Sequence, residues 1–395
     1  MSTDQGLPPA SGAWREADPV AFRQFVSVGA IELEFGETLP QVTVAYETWG
    51  TLNPDRSNAI LIEHALTGDS HASGPTAPGQ PTTGWWDALI GPGKVIDTER
   101  WFVVCTNVLG GCQGTTGPAS AAADGRAYGS RWPRISTRDQ VTVEARVADH
   151  LGIDAFASVI GGSMGGMRAL EWLVMFPERV HSAVLLATAA AASADQIGTQ
   201  TAQIHAIVGD AGWNDGDYYD AAAGDGPHRG LGTARRFAHL TYRTASELDL
   251  RFGRDEQKGE NAHERRLPAR HGDAGRFAVQ SYLDHHARSL LHRFDAGSYV
   301  ALSDAMSTHD VARGRGSRGD VLASITVPVR VAGLDTDRLY PLALQQQLAD
   351  EIPGCPKLDV IETPFGHDGF LIESERVGHI VAELLDCVAP DAARC

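Results

Sequence analysis

A short apolar, β-branched run, Phe156-Ala-Ser-Val-Ile160, leads straight into Gly161-Gly162-Ser163-Met164-Gly165-Gly166, and a strongly apolar stretch continues from Met164 to Phe176. This G-x-S-x-G pattern sits between an expected buried strand and an expected helix, which is the context of a nucleophile elbow. Such a serine occupies a sharp strand-to-helix turn, and small residues at 161 and 165 let neighbouring backbone pass close. Its hydroxyl then projects at the carboxyl end of a sheet, beside the positive end of a helix. A phosphate-binding loop is excluded, because no Gly-Lys-Ser/Thr follows, and Gly93-Lys94-Val95 lacks the hydroxyl.

The rest of the chain fits a sheet built around that turn. Ile31, Leu33 and Phe35, then Val42, Val44 and Tyr46, alternate with period two around a turn at 35–38 and predict a hairpin. Ala59-Ile-Leu-Ile62, Trp101-Phe-Val-Val-Cys105 and Val184-Leu-Leu-Ala187 are continuous apolar runs suited to strands buried on both faces. Helical spacing separates them, as over 141–151. Strands alternating with helices imply an α/β fold, a mostly parallel central sheet flanked by helices. From 193 to 324 strand-type runs nearly vanish and helical stretches such as 199–208 and 278–294 take over. A polar stretch, 255–273, reads as an exposed loop, and 313–320 as a flexible return. Strand character resumes at 325–332 and 358–361, and a helix over 377–388 closes the chain. The expected organisation is a disordered lead-in over 1–20, a core of 21–192 with 325–395, and a helical insertion of 193–324.

A serine needs a base at neutral pH, and the base needs an orienting carboxylate. In this kind of sheet they follow in the order Ser, Asp or Glu, His. The strand at 325–332 ends in Gly333-Leu-Asp335-Thr-Asp337, so both aspartates fall at the carboxyl end of the sheet. The strand at 358–361 is followed by Gly366-His367-Asp368-Gly369, and His367 alone of 15 histidines lies in that loop. These residues leave Asp335 and Asp337 as alternatives. The tetrahedral intermediate needs two donors: the backbone N–H of Met164, and that of Leu66 in the loop His64-Ala-Leu-Thr-Gly68. His64 precedes the serine in the chain and is read as shaping that loop.

Composition narrows the partners. The formal charge is −17, with 30 arginines and only three lysines, which argues against nucleic acid as a partner. Five cysteines, at 105, 112, 355, 387 and 395, show no metal-ligand spacing, so no metal is expected and a reducing, cytoplasmic setting is the simplest expectation. No run is long and apolar enough to span a membrane, and no secretory pattern opens the sequence.

Longer stretches carry a family resemblance from about Ala30 to Cys387. They are Ala45-Tyr-Glu-Thr-Trp-Gly-Thr-Leu-Asn53, His64-Ala-Leu-Thr-Gly68, Gly84-Trp-Trp-Asp87, Gly91-Pro-Gly-Lys94 and Asn107-Val-Leu-Gly-Gly-Cys-Gln-Gly-Thr-Thr-Gly-Pro118, with the elbow at 161–166. Later come Ala238-His-Leu-Thr-Tyr-Arg243, Arg293-Phe-Asp-Ala-Gly-Ser-Tyr299, Asp337-Arg-Leu-Tyr-Pro341 and Gly366-His-Asp-Gly369. With these the chain resembles the homoserine O-acetyltransferases, enzymes of methionine biosynthesis with an α/β-hydrolase fold. The resemblance implies an inserted helical lid domain, a homodimer joined through the lids, and a triad of Ser163, Asp337 and His367. It also implies Arg235 and Asp368 as substrate-binding residues, with Arg236 the neighbour most easily confused with Arg235. A zwitterionic acceptor needs a cation for its carboxylate and an anion for its ammonium, and these two residue types supply them. The implied donor is acetyl-CoA, used as a substrate with no tightly bound cofactor. Related enzymes take succinyl-CoA or serine, and a plain esterase or thioesterase is the nearest other chemistry.

Overall fold

The computed structural model describes residues 6–264 and 275–388. Its centre is one eight-stranded sheet. The strands are β1 (Gln24–Glu32), β2 (Thr38–Trp49), β3 (Ala59–Glu63), β4 (Phe102–Thr106), β5 (Ser158–Gly162), β6 (Ala183–Leu186), β7 (Val329–Leu334) and β8 (Leu358–Ile361). Their spatial order is β1-β2-β4-β3-β5-β6-β7-β8. The hairpin β1–β2 and the pair β2–β4 are antiparallel, and the remaining pairs are parallel.

The central strands read as unbroken apolar runs because both faces are covered. In β3, Ala59 and Leu61 face one core cluster while Ile60 and Ile62 face the other, and β6 divides in the same way. Helices α1 (Thr137–Leu151), α2 (Met164–Met175), α8 (Arg318–Ala323) and α9 (Leu342–Glu351) cover the first face. Helix α11 (Ser374–Val388), with the short α10 (Gly369–Ile372) before it, covers the second. Between β6 and α8 run α3 (Ala194–Val208), α4 (His228–Tyr242), α5 (Ala245–Phe252), α6 (Ala278–Leu291) and α7 (Ala296–Ser307). The first of these starts at a capping box, with the Ser193 side chain on the Gln196 amide and the Gln196 side chain on the Ser193 amide. A third cluster joins Ile207, Leu231, Leu290, Tyr299 and Leu302 of these helices to Leu66, Met164 and Met167. The helical segment is thereby packed directly on the carboxyl end of the sheet, where the elbow lies.

Three local expectations change. The strand expected over 325–332 begins only at Val329, because Pro328 has no N–H for a central ladder and α8 with its cap Ser324 fills the preceding stretch. The return at 313–320 is tied down: Arg313 pairs with Glu34, and Arg315 with the buried Glu171. Residues 1–5 of the expected lead-in lie outside the described residues. Its later part is docked, with Ala10, Ser11 and Ala13 buried and Ser11 Oγ donating to Asp295 Oδ1 at 2.7 Å. Of the polar loop at 255–273, residues 265–273 lie outside the described residues.

Candidate active site

Ser163 joins β5 to α2 with φ 57° and ψ −122°. That is a strained conformation for a side chain with a Cβ, of order 1–3 kcal/mol, and the surroundings hold it. The Ser163 N–H donates to Leu186 O at 2.9 Å, and Thr188 Oγ1 donates to Ser163 O at 2.9 Å. Gly165 lies against the end of β3, and a Cβ there would run into the Glu63 carbonyl. The elbow needs its flanking glycines for close approach.

His367 follows β8 in a single 3-10 turn, and its Nε2 lies 2.9 Å from Ser163 Oγ. Its Nδ1 lies 2.6 Å from Asp337 Oδ2. Asp337 is buried and acceptor-only, so Nδ1 carries the proton and Nε2 is left to accept from the serine. The other oxygen of Asp337 accepts from the amides of Leu339 and Tyr340 at 2.8 and 2.9 Å. Asp335 is engaged elsewhere, its Oδ1 accepting from the Thr363 amide at 2.9 Å. The structure therefore brings Asp337, not Asp335, to His367. Ser163, His367 and Asp337 are all at most 5% exposed.

Neither the Leu66 nor the Met164 amide donates to a protein acceptor among the described residues. The loop carrying Leu66 is held from three sides. Arg168 Nη2 donates to His64 O at 2.6 Å, and Arg293 Nη1 to Thr67 O at 2.9 Å. The His64 ring meets Ala65 O at 2.8 Å through Nδ1 and accepts from the Val108 amide through Nε2 at 3.1 Å. Burial, reinforced by the charge of Arg168, pushes His64 down to about 3. Neutral and with both ring nitrogens engaged, it is part of the loop's frame.

Arg235, on α4, reaches Thr67 Oγ1 with Nη1 at 3.3 Å, and its guanidinium carbon lies 6.0 Å from the Tyr242 ring centroid. Arg236 points elsewhere, to Asp284 Oδ1, with Nε at 3.0 Å and Nη2 at 2.8 Å. Asp368 Oδ2 faces Arg243 Nη1 at 3.4 Å, while Arg243 is chiefly engaged by Glu247. Tyr242 feels both residues: burial raises its phenol, Arg235 opposes that shift, and Asp368 adds to it. Arg235 and His367 lie about the Tyr242 ring, at 6.0 and 5.8 Å from its centroid, and Asp368 directly follows His367 in the chain.

Sequence reasoning missed two further side chains. Tyr340 is fully buried and stacks on His367 with ring centroids 5.0 Å apart; burial pushes its phenol up, while a hydrogen bond with Ser163 opposes that shift. Its place three residues after Asp337 was the available signal. Arg293 is the other. It opens one of the recognised stretches, but nothing local to 293 points to Thr67. Among the described residues no group of three or more His, Cys, Asp or Glu is placed to hold a metal ion.

Comparison with known proteins bears on the family and the fold. The family model described as the α/β-hydrolase fold matches residues 58–374. A homoserine O-acetyltransferase from Thermobifida fusca (strain YX) is 56% identical over 387 residues, covering 98% of this chain and all of the relative. Among solved structures, a homoserine O-acetyltransferase from Bacillus anthracis is 27% identical with a TM-score of 0.82, covering 92% of this chain and 97% of its own. Esterase E22 is 26% identical with the same TM-score, covering 92% of this chain and 99% of its own. By full-length identity above one half, and by a fold shared with solved members, the chain belongs to the homoserine O-acetyltransferase family of the α/β-hydrolase fold.

Proposed function

We propose that this chain transfers an acetyl group from acetyl-CoA to the γ-hydroxyl of L-homoserine through an acetyl-Ser163 intermediate. The observation that carries the reading is the buried Ser163–His367–Asp337 array, with 2.9 and 2.6 Å links, in a chain whose relatives bear that name. His367 takes the Ser163 proton as Oγ bonds to the thioester carbon. The carbon–sulfur bond then breaks, and the imidazolium returns the proton to the leaving thiolate. Leu66 and Met164 N–H receive the oxyanion. In the second half His367 takes the proton of the homoserine hydroxyl, whose oxygen bonds to the acetyl carbon. The Ser163 ester breaks and the serine is reprotonated. Arg235 receives the acceptor's carboxylate and Asp368 its ammonium, which draws Asp368 away from its long contact with Arg243.

The helices between 193 and 324 serve as a lid that keeps water from the acetyl-enzyme. Two copies join through their lids, which fits exposed Ile197, Phe237, Leu240 and Leu250. A single-chain mass in sedimentation at micromolar concentration contradicts that assembly. A cytoplasmic setting belongs to the same reading, supported by the buried thiols Cys105, Cys112 and Cys355.

The test is acceptor dependence. CoA release from acetyl-CoA is expected to rise at least tenfold on adding homoserine, with O-acetylhomoserine as product and serine a poor substitute. Succinyl-CoA is expected to be a poor donor. Release at the same rate with and without acceptor makes the protein a thioesterase instead.

A further inference from the structure

Two guanidiniums end at one residue of the loop that carries Leu66. Arg235 comes from α4 and reaches the Thr67 hydroxyl, and Arg293 comes from the turn between α6 and α7 and reaches the Thr67 carbonyl. No carboxylate lies within 4 Å of either among the described residues. Neighbouring arginines differ: Arg236 has Asp284, Arg243 has Glu247 and Arg276 has Glu260. Arg235 Nε is buried with no partner at all. Arg293 is pushed below its ordinary value, first by burial and then by the charge of Arg235. Two like charges at the two ends of Thr67, with no carboxylate in direct contact and only the charge of Asp69 opposing the shift at Arg293, are costly by themselves. An anion bound between them offsets that cost, and a carboxylate has two oxygens to offer two planar forks.

We infer that Arg293 is a second cation of the acceptor site and shares the acceptor's α-carboxylate with Arg235 across Thr67. The inference rests on the proposed use of an amino-acid acceptor. It makes Arg293 a specificity-determining residue. An acceptor with a carboxylate is selected over a neutral alcohol because only the former neutralises the pair.

The inference separates from a purely structural role, in which Arg293 does no more than brace the Leu66 loop through Thr67 O. The test follows two half-reactions, acetyl-enzyme formation from acetyl-CoA and its discharge by homoserine or by the uncharged homoserine amide. In Arg293→Gln, discharge by homoserine is expected to fall ~30-fold more than acetyl-enzyme formation, and preference for homoserine over the amide to fall by a similar factor. Equal losses in both half-reactions and for both acceptors overturn the inference and leave a loop brace. If the Gln variant does not fold, Arg293→Lys decides. It keeps the charge but not the fork, so the same preference is expected to drop roughly threefold or more, and an unchanged preference overturns the inference. A wild-type acetyl-enzyme that homoserine does not discharge defeats the proposed function itself, which is a different result from either.

Discussion

At the scale of single residues, the buried histidines differ in what their ring nitrogens face. His367 stands between a hydroxyl and a carboxylate, the arrangement that lets a ring accept and return a proton. His64 and His309 are held in the neutral form by burial, at about 3 and about 4. His309 lies between Thr137 Oγ1 at 3.1 Å and Ala189 O at 3.3 Å. Both folded values are below the ordinary 6.5, so the unfolded chain binds the proton first as pH falls. The stability these rings contribute is fully present above about pH 6.5 and is lost on acidification toward pH 4, at about 1.4 kcal/mol per pH unit for each ring. Replacing His309 by Gln is expected to reduce the loss of unfolding free energy between pH 6.5 and 4.5 by about 2 kcal/mol, read from denaturant titrations at the two pH values. An identical loss in the variant contradicts this account of His309.

At the scale of elements, Arg168 links the elbow to the Leu66 loop, the two parts of the proposed oxyanion site. It sits on α2 one turn beyond Ser163, yet its Nη2 holds the His64 carbonyl at the foot of the Leu66 loop. Its Nη1 meets Glu63 Oε2 at 2.8 Å and Glu144 Oε1 at 2.6 Å. Burial pushes the Glu63 carboxyl well up, Arg168 opposes that shift, and Glu144 adds to it, so two buried carboxyls share one guanidinium. Arg168→Met leaves Glu144 without its cation and His64 O without its donor. The expected result is a stability loss of about 3–5 kcal/mol, measured by chemical denaturation, with part recovered when Glu144 is also replaced by Gln. A single-variant loss under about 1 kcal/mol contradicts the role given to this cluster. The cluster also marks where sequence reading stops. Strand, elbow and helix were legible because apolar period and glycine spacing are local. So were the loops carrying Asp337 and His367, because strands announce their own ends. The choice between Asp335 and Asp337 was not local, since it depends on Asp335 bracing Thr363 across the sheet edge. The pairing of Arg168 with Glu63 and Glu144, and of Arg293 with Thr67, joins distant positions that no periodicity connects.

At the scale of the whole molecule, the formal charge of −17 stands against arginines gathered at the site. The net field opposes a polyphosphate donor slightly, while guanidiniums of Arg235, Arg293 and Arg243 gather at the site. Arg251, half-exposed and stacked over Phe252 and Tyr282, lies toward solvent on α5. The sheet presents the strained serine, its last two loops bring Asp337 and His367 to it, and the helices of 193–324 carry Arg235 and pack on the carboxyl end. The central claim is that these parts meet in one covalent intermediate that homoserine, and not water, consumes. Intact-protein mass after mixing with acetyl-CoA alone tests it most directly. The wild-type chain is expected to gain one acetyl group, mapped to the peptide containing Ser163 and lost within seconds of adding homoserine, while Ser163→Ala gains none. An acetyl group that still forms in Ser163→Ala, or one that homoserine leaves in place, contradicts the account.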